Sequence, residues 1–415
     1  MRPLDLYRTP NALAGHYSRF RVRERHLLTG HSHQAWPDRA RDAQIRAWDD
    51  AAEQVDEKWE RAFEEADRVR RGFGRLLGEA PEHLALGQNT HELVVRFLSA
   101  LPLRTRPRLV TTHGEFHTVR RQLERLEEEG LEIVRVPVDP VDAIPTRIEA
   151  ALDDRTAAAI VSSVLFENAR IVPGFDRMAA RCRRVGARLL VDAYHHLNIV
   201  PFSIEAMDLG DAFVVGGGYK YCQLGEGNCF LRVPPDPSLR PVITGWFAEF
   251  GAVLDEGRAE ADPTGPTSSD RRDPDGAGVT YGPGPARFAG ATYDPTSHYR
   301  GAAVFDFFEE MGLAAPLLRE VSRHQVELLA RRFDELDADP HVISRNHGWP
   351  LERTAGFLPL RASRADVLVR LLREEGVFAD QRGGILRLGP APYLSDRQIE
   401  EAVAALGTVL LRLDS

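Results

Sequence analysis

Two side chains that could act on one ligand follow neighbouring apolar stretches of this chain. Asp192 ends the run leading into Val191-Asp192-Ala193-Tyr194-His195, and Lys220 follows the glycines of Gly216-Gly217-Gly218-Tyr219-Lys220-Tyr221. A carboxylate can keep a pyridine nitrogen protonated, and a lysine amine can carry an aldehyde cofactor as a Schiff base. The pair therefore predicts a pyridoxal phosphate site, whereas either residue alone would be interpreted as an ordinary polar residue.

A third group lies upstream, where Gly87-Gln88-Asn89-Thr90-His91-Glu92 precedes the apolar helical pattern Leu93–Leu101. The amides at a helix N-terminus and the helix dipole favour an anion, so Asn89 and Thr90 are predicted to cradle the cofactor phosphate. An ordinary helix cap is the alternative. His195, three residues after Asp192, is predicted to stack near the cofactor ring or support it.

The elements that must position these residues alternate between strand and helix from about residue 84 to 232. Such alternation predicts a mostly parallel sheet with helices on both faces, an α/β fold. The predicted strands are Arg108–Thr112, Ile133–Val138, Ala158–Ser163, Arg188–Asp192 and Ala212–Val215, with helices at Thr118–Glu128 and Phe175–Val185.

The chain divides by composition into four predicted parts. Residues 1–45 form an N-terminal segment packing on the small domain and active site, and residues 46–255 form the large domain. Residues 256–287, rich in Gly, Pro and Asp, are expected to be a flexible loop or lid. Residues 288–415 alternate between helix and strand as a smaller α+β domain would: helices at Ser297–Glu310, Ala315–Leu336, Arg364–Glu375 and near Ser395–Leu411, with strands at Gly356–Leu360 and Ile385–Leu388.

The net charge and the distribution of apolar residues argue against two kinds of partner. A net charge of -9 argues against a nucleic-acid binder, and no apolar run approaches the length of a membrane span. A cytoplasmic protein with no membrane partner is expected. Cys182, Cys222 and Cys229 have neither zinc-site nor disulfide spacing and are interpreted as reduced packing residues.

With these residues in place, the chain resembles the kynureninase group of fold-type-I pyridoxal phosphate enzymes, within the class V aminotransferase superfamily. The resemblance runs over most of the length. The matching segments are Val191–Tyr221, Arg240–Phe247, Leu386–Tyr393 and Gly30-His31-Ser32-His33.

The resemblance implies roles for further residues. Arg387 would bind the substrate carboxylate, and Ser32, His31 and His33 would line the substrate pocket; two histidines this close on a loop are weak evidence for a metal, so no metal site is predicted. Phe116 would lie over the cofactor ring and Asn168 near its 3′-hydroxyl. A homodimer is implied, in which Trp246 and Thr292 reach across the interface to bind the cofactor of the neighbouring subunit.

Three positions depart from the kynureninase pattern. Thr292 stands where kynureninases have an asparagine that touches the substrate, Gly218 where serine is common, and Arg170 where glycine is usual. These departures affect substrate identity more than the chemistry.

The resemblance implies a reaction on an amino acid. The substrate amine would displace Lys220, the freed lysine would remove the Cα proton, and Tyr219 would be a candidate proton relay and phosphate contact. Hydrolytic Cβ–Cγ cleavage of kynurenine or a related γ-keto amino acid would release alanine. The alternatives are an aminotransferase or a β-eliminating lyase, and a non-catalytic amino-acid-binding protein. A cysteine desulfurase is disfavoured because no cysteine follows Cys229.

Overall fold

The computed structural model describes residues 1–235, 239–249 and 278–413. Its strands, in chain order, are β1 (His26–Leu27), β2 (Leu84–Gly87), β3 (Arg108–Thr112), β4 (Glu132–Val136), β5 (Thr156–Ser162), β6 (Arg188–Asp192), β7 (Phe213–Gly217), β8 (Cys229–Arg232), β9 (Ile343–Ser344), β10 (Leu358–Ala362), β11 (Val377–Phe378), β12 (Asp380–Arg382) and β13 (Ile385–Leu388). The described α-helices are α1 (Pro3–Tyr7), α2 (Asp38–Gln54), α3 (Lys58–Leu77), α4 (Thr90–Ser99), α5 (His117–Glu128), α6 (Ile144–Ala151), α7 (Phe175–Val185), α8 (Thr296–Met311), α9 (Ala315–Asp334), α10 (Ala365–Glu374) and α11 (Asp396–Leu413).

The central sheet has seven strands in the order β2-β8-β7-β6-β5-β3-β4. The pairings from β4 to β7 are parallel, and β8 runs antiparallel to both of its neighbours. Helices α5, α6 and α7 connect β3 to β4, β4 to β5 and β5 to β6, whereas β6 and β7 are connected by turns. This sheet confirms the predicted α/β architecture.

Both faces of the central sheet are buried, which explains why its strands are continuously apolar. Along β6, Leu189 and Val191 belong to the core cluster on one face, while Leu190 belongs to the cluster on the other face. In β7, Val214 and Val215 divide in the same way. Successive strand residues point to opposite faces, so a strand covered on both sides needs no polar alternation.

The C-terminal part has its own antiparallel sheet, ordered β12-β13-β10-β9. Helices α10 and α11 pack against each other, and α9 packs against α11. The N-terminal segment joins this part because β1 pairs in parallel with β11. The smaller α+β unit expected after residue 288 is therefore present, although the predicted domain boundaries remain predictions.

Helices α2 and α3 both pack against α8, and α3 also contacts β2 of the central sheet. Most of the predicted loop or lid, residues 256–277, lies outside the described residues, and its described end contains a 3-10 turn that begins at Gly284.

No helix within the described ranges combines the length and apolarity needed to cross a membrane.

Candidate active site

The candidate site lies where the parallel strands end. Asp192 is the last residue of β6 and pairs in register with Ser162, the last residue of β5. Lys220 follows the end of β7 at Gly217. Since carboxyl ends of parallel strands share one edge of the sheet, these residues line a common cavity of about 200 Å³. The cavity is lined by Gln88, Asn89, Thr90, His91, Phe116, Thr118, Ser162, Val164, Phe166, Asp192, Tyr194, His195, Tyr219, Lys220, Glu226, Gly227 and Cys229.

Lys220 is a buried amine at this cavity, with 4% of its surface exposed. Its Nζ lies 2.7 Å from His195 Nε2, and the ring centroids of Tyr194 and Phe116 lie 4.6 and 5.1 Å away. Burial lowers the Lys220 pKa to about 7, because Asp192 only partly compensates for the lost hydration and Arg387 repels the charge. About half of the Lys220 amines are therefore uncharged and nucleophilic at pH 7.

Asp192 is the buried carboxylate of the site. Its Oδ1 accepts a hydrogen bond of 2.9 Å from the Tyr194 N–H. Burial raises the Asp192 pKa, while this hydrogen bond and the Lys220 charge oppose the rise. No ion pair joins Asp192 to Lys220, both of which are described. A buried carboxylate in this position is therefore suited to a cationic group of a ligand.

His195 is a neutral neighbour of the lysine. Burial and the nearby Lys220 charge hold the His195 pKa well below its usual range. Its Nδ1 is buried without a hydrogen-bond partner. A neutral ring can accept a hydrogen bond from the protonated lysine, or donate one to the neutral lysine in its other tautomer.

These groups fit pyridoxal phosphate. The cofactor needs a lysine amine for its aldehyde, an acidic partner for its pyridine nitrogen and an anion site for its phosphate. The described cavity contains Lys220, Asp192 and the N-terminus of α4, which are candidates for these three roles. The Phe116 ring borders the same space, as a stacking partner would.

The N-terminus of α4 has the helix cap that was one of the two interpretations left open by the sequence. The Asn89 side chain caps the helix, because its Oδ1 accepts a 2.9 Å hydrogen bond from the Glu92 N–H. Its Nδ2 donates to Glu92 Oε1. The Asn89 side-chain groups are therefore engaged locally, and Thr90 and His91 line the cavity beside it. The phosphate cradle remains a prediction that rests on the helix N-terminus.

The glycines before Lys220 serve protein packing rather than an approach to ligand. β7 runs through Gly216 and Gly217, beyond the predicted end at Val215. A Cβ on Gly217 would lie 2.4 Å from the Cys229 Sγ and 2.6 Å from the Tyr194 ring. A Cβ on Gly218 would lie 2.4 Å from Leu224. These glycines therefore make room for side chains of neighbouring elements.

Arg387, the predicted substrate-carboxylate residue, is 3% exposed and already holds a carboxylate of the chain. Its Nε and Nη2 donate to the two oxygens of Asp380 at 2.8 and 2.5 Å, and its Nη1 donates to the Phe166 carbonyl at 2.8 Å. Asp380 also contacts His31, at 2.7 Å from Nε2. His31 is fully buried, so it contacts the arginine's partner rather than an open pocket.

Sequence reasoning missed Asp380, although a signal was present. Gly383 and Gly384, both with positive φ, form the turn between β12 and β13. That hairpin places Asp380 directly opposite Arg387 in the antiparallel register. Opposite charges in facing cross-strand positions pair readily.

Of the other two predicted substrate residues, His33 contacts Tyr219 and Ser32 contacts its own loop. The His33 ring stacks on the Tyr219 ring, with centroids 5.0 Å apart and planes inclined by 22°. The Ser32 hydroxyl donates to the Thr29 carbonyl and stabilises the turn that carries both histidines. His33 is exposed, whereas Tyr219 lines the cavity with Lys220.

Three predicted cofactor residues lie outside this cavity. Asn168 lines a separate cavity of about 410 Å³ together with Arg170. Trp246 Nε1 donates to the Thr292 hydroxyl at 3.1 Å. Thr292 lines a third cavity of about 830 Å³, which is the larger space but lacks Lys220 and Asp192. We therefore take the cavity of about 200 Å³, which contains Lys220 and Asp192, as the candidate active site.

Glu115 is a second buried carboxyl beneath the site that the sequence did not identify. It accepts hydrogen bonds of 2.6 Å from both the Thr112 and Ser162 hydroxyls. Burial raises its pKa to about 7, and Asp192 adds to the rise. It therefore adds a titratable group next to the cofactor candidates.

The described residues give little support for metal or thiol chemistry, although Cys229 lines the Lys220 cavity. No three His, Cys, Asp or Glu side chains of the described residues gather as metal ligands would. All three cysteines are buried. Burial raises the pKa of Cys182 and of Cys229 to about 12, so these thiols are not ionised near neutral pH.

Comparison with known proteins supports the fold at low sequence identity. No family model matches the chain. An uncharacterized aminotransferase, YcbU of Bacillus subtilis strain 168, is 22% identical over 349 residues, which cover 83% of this chain and 84% of that protein. A mitochondrial cysteine desulfurase of Arthroderma benhamiae is 28% identical over 144 residues, covering 34% of this chain and 28% of that protein.

Solved structures match over nearly the whole chain. The enzyme C-DES, solved as a mutant with glycine covalently linked to its PLP cofactor, matches with a TM-score of 0.79 and 14% identity, covering 95% of this chain and 98% of that one. The Escherichia coli cysteine desulfurase CsdA matches with a TM-score of 0.75 and 15% identity, covering 98% and 99%. The chain therefore has the fold of these pyridoxal phosphate enzymes.

Proposed function

We propose that this chain is a pyridoxal-phosphate-dependent enzyme that acts on an amino acid. The observation that carries the proposal is the buried Lys220 amine, 2.7 Å from a neutral His195 and in one cavity with the buried Asp192. A structural lysine would be exposed or ion-paired, because burial of a lone ammonium group is costly. The similarity to an aminotransferase and to PLP-containing structures supports the same conclusion.

Each residue has a defined task in this proposal. Lys220 would hold the cofactor aldehyde, Asp192 the protonated pyridine nitrogen, Phe116 the ring face, and the N-terminus of α4 the phosphate. The bound cofactor supplies an electron sink for the substrate Cα. Because the Lys220 pKa is about 7, its amine can accept the Cα proton near neutral pH once the substrate amine has replaced it.

The finer proposal concerns the bond that is cleaved. The resemblance of the Tyr219, Lys220 and Arg387 segments to kynureninases supports hydrolytic Cβ–Cγ cleavage of kynurenine or a related γ-keto amino acid. Tyr219 borders the Lys220 amine, with its ring centroid 5.5 Å from Nζ, and can relay a proton to Cβ, which becomes the methyl group of alanine when the Cβ–Cγ bond breaks. His33, stacked on Tyr219, would lie on the solvent side of that relay.

A second candidate is aminotransfer or β-elimination. It is favoured by the aminotransferase relative and by the match to C-DES, described as a cystine C-S lyase in its complex with cysteine persulfide, at a TM-score of 0.74 and 15% identity. Either reaction would use Lys220 and Asp192 in the same way. A desulfurase that uses a protein thiol is not proposed, because all three cysteines are buried.

A homodimer with shared sites belongs to the same proposal. Trp246 is 47% exposed, and its hydrogen-bond partner Thr292 borders the open cavity of about 830 Å³. That cavity shares Gln88 with the Lys220 cavity. A second chain covering this surface would bring its own Trp246 and Thr292 close to the cofactor phosphate.

Product analysis tests the proposal. The protein loaded with pyridoxal phosphate is incubated separately with L-kynurenine, with L-cystine, and with an amino acid plus a keto acid. Alanine plus anthranilate identifies the hydrolase, pyruvate with ammonia identifies the lyase, and a new amino acid identifies the transferase. Turnover that persists in Lys220→Ala would contradict all three.

A further inference from the structure

Arg387 contacts Asp380, which is partly buried, and Asp380 contacts the fully buried His31. Arg387 carries five N–H donors, and three of them are used by Asp380 and the Phe166 carbonyl. One donor remains on each of Nη1 and Nη2. Two donors on neighbouring nitrogens match the two oxygens of a carboxylate.

Asp380 also sets the charge of the arginine's surroundings. Burial raises the Asp380 pKa, but the hydrogen bonds from His31 and Arg387, together with the charge of Arg387, outweigh burial and hold the Asp380 pKa well below its usual range. Asp380 therefore stays ionised and compensates a guanidinium that is 3% exposed. Without this partner, Arg387 would be a buried charge free to turn toward other acceptors.

His31 in turn fixes Asp380. Burial lowers the His31 pKa to about 4 despite the neighbouring carboxylate, so the ring is neutral at pH 7 and donates its Nε2–H to Asp380. The ring packs on Phe357, with centroids 4.5 Å apart. A Cβ on Gly389 would lie 2.2 Å from His31 Nδ1, so a glycine is required beneath the ring.

The backbone fastens the loop of His31 to the strand of Arg387. The Gly30 N–H donates to the Gly389 carbonyl at 2.7 Å, and the Gly389 N–H donates to the Leu28 carbonyl at 2.8 Å. The N-terminal segment is thereby held beside the end of β13, two residues beyond Arg387. These hydrogen bonds therefore fix the position of the N-terminal segment relative to Arg387.

We infer that Asp380 and His31 are positioning residues that orient Arg387 for the α-carboxylate of the substrate, so that the enzyme selects amino acids with a free carboxylate. The inference rests on the proposed function. A different role for Asp380, competition with the substrate for the arginine, would give effects of opposite sign. Removal of a competitor strengthens carboxylate binding, whereas removal of a positioning residue weakens it.

The test compares two ligands that differ only in the carboxylate. L-Alanine and L-alaninamide are titrated into the holoprotein, and their dissociation constants are read from the change in cofactor absorbance. The ratio of the two constants measures carboxylate selectivity. A substitution that damages the whole site changes both dissociation constants and leaves their ratio unchanged. A change in the ratio therefore indicates lost positioning of Arg387 and not general damage to the structure.

We expect Asp380→Asn and His31→Leu each to reduce the ratio about tenfold, the value of one oriented hydrogen bond to a charged group. His31→Gln keeps a donor near the Nε2 position and should preserve most of the selectivity. Asp142→Asn, which alters the exposed ion pair between Asp142 and Arg353, is the matched control and should leave the ratio unchanged.

An unchanged or increased ratio in Asp380→Asn would overturn the inference while leaving the proposed function intact. Absence of any cofactor absorbance in the wild-type protein with added pyridoxal phosphate would instead overturn the proposed function, and the inference with it. The two failures are therefore distinguishable in one experiment.

Discussion

We expect Lys220 of the cofactor-free protein to titrate near pH 7, against 10.5 for an ordinary lysine. Loss of hydration is the main cause, and Arg387 adds repulsion. At pH 7 about half of the Lys220 amines would be neutral, compared with about one in 3,000 for a lysine with an ordinary pKa. Burial therefore gives roughly a thousandfold more nucleophile at neutral pH.

The chain offers an unusually simple assay of this titration. Of its 53 lysines and arginines, only Lys58 and Lys220 are lysines. Protein labelled with carbon-13 at the lysine Cε gives two lysine signals, and Lys58→Arg assigns them. The Lys220 shift is followed from pH 5 to 11, with Lys58, which is partly exposed at the start of α3, as the internal reference.

Asp192 provides a second arm of the experiment, because its negative charge raises the Lys220 pKa. Asp192→Asn should move the Lys220 midpoint to lower pH. A midpoint above pH 9 in the wild-type protein, or a shift to higher pH in Asp192→Asn, would refute the electrostatic account of the site.

Three further outcomes follow from the buried groups. Because folding lowers the Lys220 pKa from 10.5 to about 7, the folded protein loses stability as the pH falls from 10.5 toward 7, and the full cost remains at lower pH. Lys220→Met should therefore raise the apoprotein's free energy of unfolding at pH 7 by up to about 4 kcal/mol in denaturant titrations, and a loss of stability would contradict this. The Glu115 pKa is raised to about 7, so the buried carboxylate costs stability as the pH rises from 4.5 toward 7, and Glu115→Gln should gain up to about 3 kcal/mol relative to wild type between pH 4.5 and pH 8, whereas equal pH dependence would exclude it. Iodoacetamide at pH 7.5 should leave turnover intact, since all three cysteines are buried; inactivation together with modification of Cys182, Cys222 or Cys229 would show that a thiol takes part.

Much of the fold could be predicted because the parallel strands are buried on both faces. The bounds of Arg108–Thr112, Arg188–Asp192, Phe175–Val185 and Ile385–Leu388 agree with the structure. The end of β7 was missed because glycines ordinarily end strands, whereas Gly216 and Gly217 here pair with Phe230 and Cys229. Their close packing against side chains of other elements was not visible in the sequence.

The site was predicted only in part, because some of its contacts form only when distant segments of the chain pack together. Asp192 and Lys220 lie at neighbouring strand ends, so topology alone brings them together. The pairing of His31 with Asp380 spans 349 positions and depends on docking of the N-terminal segment. The rarity of lysine was a missed sequence signal: arginine serves for charge elsewhere, but only a lysine amine can condense with an aldehyde.

Attachment of the cofactor to Lys220 can be measured from the absorbance spectrum of the protein mixed with pyridoxal phosphate, followed by borohydride reduction and peptide mass spectrometry. We expect a visible absorbance band and, after reduction, the cofactor's mass on the peptide that contains Lys220, with neither in Lys220→Ala. A spectrum equal to that of free cofactor, or an adduct only on Lys58, would contradict the assignment of Lys220.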